Sequence, residues 1–597
     1  DVTFADGADI ITASAGTSNV RVGVNAGNSI TSGGNFNVVV GDEAGTALTT
    51  GDNNVAVGYA ALDANQTANH NVAIGGSALG SNTTGATNTA VGGESMTANT
   101  EGGNNVALGY QSLHDLTTGN NNTAIGYQAL STEDAHGDNV AVGYQSLKTL
   151  NAGADAFNTA VGYQAGVAIT TGIQNTLVGG LAGDVLTDAD YNVALGVSAL
   201  GADTLGSQST AIGYSALTNQ NFTTATNSLN TAVGYQAGAA VTTGTQNNLI
   251  GGLAGDALTV GTKNNAFGYR ALSDDTKGSK SVAIGNFTLA TQNFTTATDS
   301  FNTAVGHGAG ESVTTGTQNT YIGGLAGDAA TASVENVAVG YQALSADTLG
   351  SKNVAVGRMA LLSQNFSTAT DTHNTAVGHN AGQQVTTGTS NTLIGSGSGD
   401  ALTSGNSNVA VGHGALTTDT LGDRAVAIGL NALAAQNFTT SFDNYNVGIG
   451  YTAGAAVTTG ARNTIVGGLA ADALTTGVDN VALGYAALSS DDLGNYNVAI
   501  GSQALTSLNF ATATDSFNVA VGRDAGANLT TGTFNTLVGG QAGDGLQDSD
   551  DNVAVGLNAL TTDTLGSRST AIGAAALANQ NFTTATNSHN VAVGYFA

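Results

Sequence analysis

Residues 53–59 read Asn-Asn-Val-Ala-Val-Gly-Tyr. The phrase returns as Asn-Asn-Thr-Ala-Ile-Gly-Tyr at 121–127, Asn-Val-Ala-Leu-Gly-Tyr at 480–485 and Asn-Val-Ala-Val-Gly-Tyr at 590–595. Indexed by its central glycine, it occurs 33 times between Gly23 and Gly594. From Gly41 to Gly143 the copies stand 17 residues apart, and one step of 19 reaches Gly162. Steps of 17, 17, 17 and 21 then repeat, so Gly162, Gly234, Gly306, Gly378, Gly450, Gly522 and Gly594 are each 72 apart. Units this short cannot enclose a core singly and must stack.

The residue before the glycine is bulky and apolar, as in Val57, Ile74, Leu108 and Phe267, and the third before it is Val or Thr in 31 of 33 copies. Such side chains suit a strand, and alternation puts these two on one face. Position −2, Ala in 24 copies, shares the other face with the glycine. Asn fills position −4 in 29 copies, where it can close an Asx turn or ladder with its own copy in the next rung. A short apolar stretch such as Ala61-Leu62 and then a Gly/Thr/Asn/Asp-rich turn follow the glycine. Each rung therefore reads as strand, corner, shorter strand, corner.

The fold class expected is all-β: a parallel β-solenoid or β-roll rod of about 33 rungs, roughly 150–160 Å long at ~4.8 Å per rung. Residues 1–17 read as a partial N-terminal rung or lead-in, 18–150 as regular 17-residue rungs, and 151–597 as six 72-residue superrepeats running into a truncated final rung. The absence of Pro fits, because each would delete a ladder donor. The Ala/Gly strip at position −2 suits close approach by another backbone layer, either the facing wall of the same coil or neighbouring chains about a common axis. Three chains sharing one interior is the assembly expected.

Composition narrows function. Lys and Arg number 12 against 42 Asp and Glu, a net charge of −30 over 597 residues, which disfavours nucleic acid and anionic membrane. There is no Cys, hence no disulfide and no thiolate chemistry, and no apolar run of bilayer length. The chain opens on Asp1 and reads as a slice of something longer.

The phrase Asn-Val-Ala-Ile-Gly at 71–75 and 497–501, with Ser-Val-Ala-Ile-Gly at 281–285, resembles the head repeat of trimeric autotransporter adhesins (the YadA-like head) and related repeats of phage tail fibres. The resemblance runs from about Asn19 to the end, with a longer rung and an added 72-residue period. It implies a left-handed parallel β-roll intertwined as a trimer, displayed on a cell or virion surface for adhesion.

Four sets of residues are candidates for chemistry. Phe222, Phe294, Phe366, Phe438, Phe510 and Phe582 sit in the four-residue insertion of every long rung, either as aromatic knobs for glycans or tucked back to pin the bulge. Asp184, Asp256, Asp328, Asp400, Asp472 and Asp544 recur five residues after a glycine, too sparse for a cation cage in one chain. Tyrosines after the glycine (Tyr59, Tyr110, Tyr127, Tyr144, Tyr163, Tyr235) read as a self-packing stripe or a sugar platform. The eight histidines follow no rung consistently, and no nucleophile elbow or phosphate-loop lysine occurs.

The expectation is a non-enzymatic structural and adhesive fibre shaft, extracellular, homotrimeric, with no cofactor, metal or catalytic residue. A cell-surface glycan or protein receptor would be its partner. Alternatives are an ice-binding β-solenoid and, further off, a hexapeptide-helix acyltransferase-like enzyme.

Overall fold

The computed structural model describes residues 14–597. The lead-in over 1–17 lies, up to residue 13, outside the described residues. The chain divides into two compact units, one ending at Phe301 and one running from Asn302 to Ala597. Each is a parallel β-solenoid, and no helix occurs among the described residues. The first unit stacks 16 three-residue strands, from Val20–Val22 to Val282–Ile284; the second stacks 17, from Thr303–Val305 to Val591–Val593. Register is kept by position in the phrase: Val55, Ala56 and Val57 pair with Val72, Ala73 and Ile74. The steps of 19 and 21 leave it unbroken, since Val140 pairs with Thr159 and Thr210 with Thr231.

The glycine closes each strand in a backbone region that only glycine enters cheaply, with φ between 127° and 146° along the series. A Cβ on Gly162, Gly234 or Gly522 would fall under 3.0 Å from the carbonyl of the glycine in the next rung. Stacked copies exclude side chains from one another there.

Past the glycine the structure departs from expectation. The second leg is not a strand. It is a turn in which residues alternate into left-handed backbone, such as Ala60 (φ 51°) and Leu62 (φ 55°). Its amides still bond between rungs, Ala60 N to the Asp42 carbonyl (3.0 Å) and Leu62 N to that of Ala78 (3.0 Å). Both legs thus use their donors, which is the physical reason proline has no place here. Among the described residues, second strands form only beside the 21-residue rungs, as in Gly206–Ser207 paired with Thr226–Asn227.

The core corrects the reading of the alanine strip. Ala56, Ala73 and Ala90 point into their own coil and are fully or almost fully buried, facing leucines such as Leu62 and Leu79 from the opposite leg. The facing wall of the same chain supplies the close partner layer. The strip therefore does not call for neighbouring chains, and the Val/Thr and Val/Ile/Leu side chains of −3 and −1 face outward. Volume is exchanged across this interior. Where Leu177, Leu249 or Leu393 replaces the alanine, glycine replaces the opposing leucine at Gly183, Gly255 and Gly399. A Cβ on Gly327 would strike the Tyr321 ring, the largest fully buried side chain.

The asparagines at −4 are buried and serve two rungs. Asn54 Oδ1 accepts from the Asn71 amide (2.9 Å), while Asn54 Nδ2 donates to the Ala68 carbonyl (2.9 Å). The ladder runs mainly from side chain to backbone, which satisfies backbone groups that a corner would otherwise strand.

Candidate functional site

Outward from this core lie three surfaces. The first is the strand wall. Val, Thr or Asn at −3 alternates with Val, Ile, Leu or Phe at −1, so the wall carries no charge along either unit. Its larger members are half-exposed, Ile74 at 38% and Leu195 at 44%. The −1 column is apolar on every rung, a partly exposed hydrophobic row running along each unit beside Val, Thr or Asn.

The second surface follows the glycine. Tyr110, Tyr127, Tyr144 and Tyr163 stack with ring centroids 5.8, 5.3 and 5.3 Å apart. Beside them Gln128 Nε2 donates to Gln111 Oε1 (2.8 Å), Gln145 to Gln128 (2.9 Å) and Gln164 to Gln145 (3.1 Å), and Glu94 receives Gln111 at the end (2.7 Å). These four tyrosines and the Tyr214–Tyr235 pair pack on themselves, so a sugar ring would meet mainly their edges and hydroxyls, whereas Tyr59 is 62% exposed.

The third is the corner five residues before each glycine, left-handed on every rung. In the long rungs that corner carries Phe157, Leu229, Phe301, His373, Tyr445, Phe517 and His589, all exposed at φ 48–53°. Large side chains rarely hold this conformation without reason. Tyr496, Phe517 and Phe534 stack there at 4.8 and 5.7 Å, Lys280 Nζ lies 4.8 Å from the Phe301 ring centroid, and Arg424 covers Tyr445 at 5.5 Å.

Of the two placements open to the aromatic row of the insertion, the structure shows the one tucked back against the bulge. Phe222, Phe294, Phe366, Phe438 and Phe510 are only 5–8% exposed, and Phe582 is half-buried. Each folds back toward the two-residue strand; a Cβ on Gly206 would meet the Phe222 ring at 2.8 Å. The insertion is pinned through the backbone as well, since Asp203 Oδ1 accepts the amides of Gly206 (3.0 Å) and Phe222 (3.1 Å). The exposed aromatics stand seven residues later. Sequence reasoning missed them because they vary in identity from copy to copy, yet in a repeat the packing positions are the constant ones and variation marks the surface.

Also missed was a buried column seven residues after each glycine, which runs Asp, Gln, Val, Leu through the superrepeat. Gln220 Nε2 donates to Asp203 Oδ2 (2.6 Å), Gln292 to Asp275 (2.7 Å), Gln364 to Asp347 (2.6 Å) and Gln436 to Asp419 (2.6 Å). Burial pushes the Asp275 and Asp347 carboxyls up, the hydrogen bonds opposing it. The row Asp184, Asp256, Asp328, Asp400, Asp472 and Asp544 also serves packing: Asp400 accepts from Thr417 Oγ1 (2.6 Å), and partial burial raises Asp184, Asp256, Asp472 and Asp544. Among the described residues, one group of three acidic or histidine side chains converges, Glu133, Asp134 and His136. No helix among them is long and apolar enough to cross a membrane. No family model and no curated protein matches this sequence.

Proposed function

We propose that this chain is a non-enzymatic shaft of an adhesive surface fibre, in which three copies meet through their strand walls. The observation carrying the reading is the uncharged outward wall on a chain of net charge −30. Sixteen three-residue strands at ~4.8 Å spacing present roughly 750 Å² in one unit alone. That matches the ~800 Å² per partner of a stable interface. The left-handed corners, with Phe301, Tyr445 and Phe517, are the contact points for a receptor, repeated so that weak contacts add by avidity. The resemblance to adhesin and tail-fibre repeats agrees with a location on a cell or virion surface.

Light scattering on the purified chain tests the assembly. Three chain masses are expected, falling to one when Val339→Asp and Val411→Asp charge the wall; a wild-type monomer overturns it. Beads coated with the chain should adhere to host cells, and replacing Phe301, Tyr445 and Phe517 by alanine should abolish adhesion without changing the mass.

A further inference from the structure

The 72-residue architecture is introduced by the single step of 19, and the rung just before it breaks three column rules at once. In the 17-residue steps from Gly41 to Gly573, the seventh residue before the closing glycine is Gly, Ala or Ser everywhere except at His136. The inward column seven residues after each glycine contains one Glu, Glu133, with Leu116 and Leu150 at the same position in the adjacent rungs. The next position is chiefly Thr or Asn and here is Asp134. Packing alone does not require these residues, since the rung two steps earlier builds the same corner with Asn99 and Gly102, Asn99 Nδ2 donating to the Gly102 carbonyl (3.1 Å).

Their geometry is that of an incomplete coordination shell. Glu133 is fully buried, its Oε1 accepting the His136 amide (3.0 Å) and its Oε2 the Ala152 amide (3.3 Å) across the 19-residue step. His136 Nδ1 is buried and makes no hydrogen bond, although its side chain as a whole is 28% exposed. This nitrogen stands 3.4 Å from Glu133 Oε1, and the ligand atoms of all three residues lie within 4.8 Å of one another. Bonds of ~2.1 Å to a tetrahedral zinc ion place two ligands about 3.4 Å apart.

We propose that Glu133, Asp134 and His136 bind one divalent cation of the zinc class, with water completing the tetrahedron. Imidazole with two carboxylates suits such an ion, and an unpaired buried nitrogen beside a buried carboxylate is the arrangement a cation relieves. The Asp134 carboxylate lies within 4.8 Å of the other two ligand atoms, and the partly exposed His136 edge gives access from solvent. Because Glu133 also holds Ala152, the bound ion would clasp the rung of uniform spacing to the step that opens the superrepeats.

The test is calorimetric titration of the chelator-stripped full chain with ZnCl2, beside His136→Gly and Glu133→Asn. Both variants carry what other rungs carry at those positions, so the corner should fold. One tight equivalent is expected for the wild type and its loss in both variants, with the His136 and Ala152 amides gaining exchange protection on zinc addition only in the wild type. Identical isotherms for all three chains overturn the proposal and mark the pair as a proton-bridged contact. Should a variant misfold, Co2+ added to the wild type decides: tetrahedral absorption supports the site, octahedral absorption alone sinks it.

Discussion

Asp347 and Asp491 occupy the same buried corner two superrepeats apart, and two side chains chiefly distinguish their surroundings: Gln364 against Leu508 in the next rung, and Thr348 against the charged Asp492 beside them. Both cap a glycine amide through Oδ1, Gly350 N at 3.0 Å and Gly494 N at 3.0 Å. At Asp347 the second oxygen receives Gln364 Nε2 at 2.6 Å. At Asp491 the next rung offers Leu508, and the second oxygen has only Asn497 Nδ2 at 3.4 Å. Burial and the neighbouring Asp492 charge outweigh the Gly494, Leu493 and Phe510 amides and push the Asp491 carboxyl up to about 6. The pair shows what the glutamine does in the other copies: its hydrogen bond opposes the upward push of burial on an interior carboxyl. It also shows that the stack tolerates its loss, because a solenoid's stability is a sum over neighbouring rungs.

The widest separation between the two corners should appear with pH. Asp491 has a folded pKa above its unfolded value of 3.8, so the folded state holds its proton longer. Local stability is therefore undiminished below about pH 4, falls as pH rises toward 6, and is flat above. The loss by pH 7 is about 3 kcal/mol at ~1.36 kcal/mol per unit. Hydrogen exchange at the Gly494 amide, corrected for intrinsic rate, should reveal this slope, and Gly350 should show a shallower one. Equal slopes would erase the distinction.

A single substitution should next move the two corners in opposite directions. Asp347→Asn turns an amide toward the Gln364 amide and strands a donor, costing about 2 kcal/mol at pH 7. Asp491→Asn removes a poorly partnered charge while keeping the cap on Gly494, and should stabilise its rung by about 1–2 kcal/mol and flatten the pH slope. Denaturant melts of the two variants at neutral pH give both signs; matching signs would mean the glutamine is incidental.

Much of this was legible in the repeat itself. Gly58 and its copies specify a stacked strand, because only an obligatory close approach keeps one residue glycine for 33 rungs. The alternation around Ala56 identified two faces, but period two does not say which is inside. The strip of small residues left open whether its close partner was the same coil or another chain, because only the packed coil shows that its interior has room for alanine against Leu62 and little more. The second leg escaped because left-handed residues such as Ala60 and Leu62 bear no turn signature. Phe222 was recognised as recurrent but not placed, since its burial depends on Asp203 bonding the insertion's backbone. Glu133 and His136 went unread because they are exceptions, and a search for recurrence passes over exceptions.

The smallest effect expected is also the sharpest test of the opening contrast. Leu508→Gln rebuilds the Asp347 corner at Asp491 except for Asp492, which stands where Thr348 does; Asn497, Ser516 and Asn518 occupy the places of Asn353, Thr372 and Asn374. Gln364 Oε1 accepts from Asn374 Nδ2 at 2.9 Å, and Asn518 is placed to donate likewise. The new bond to a carboxylate contributes about 1.5–3 kcal/mol. Removing a buried leucine forfeits a similar ~1.5–3 kcal/mol of apolar burial. Net stability at pH 7 should therefore change by no more than about 1 kcal/mol. What must change is its dependence on pH: the hydrogen bond favours the ionised carboxyl and the lost burial is indifferent to charge, so the variant gains on the wild type as pH rises from 4 to 7. Melts at those two pH values measure the difference. If the variant and wild type keep the same pH slope, the elevated Asp491 carboxyl owes nothing to the missing glutamine.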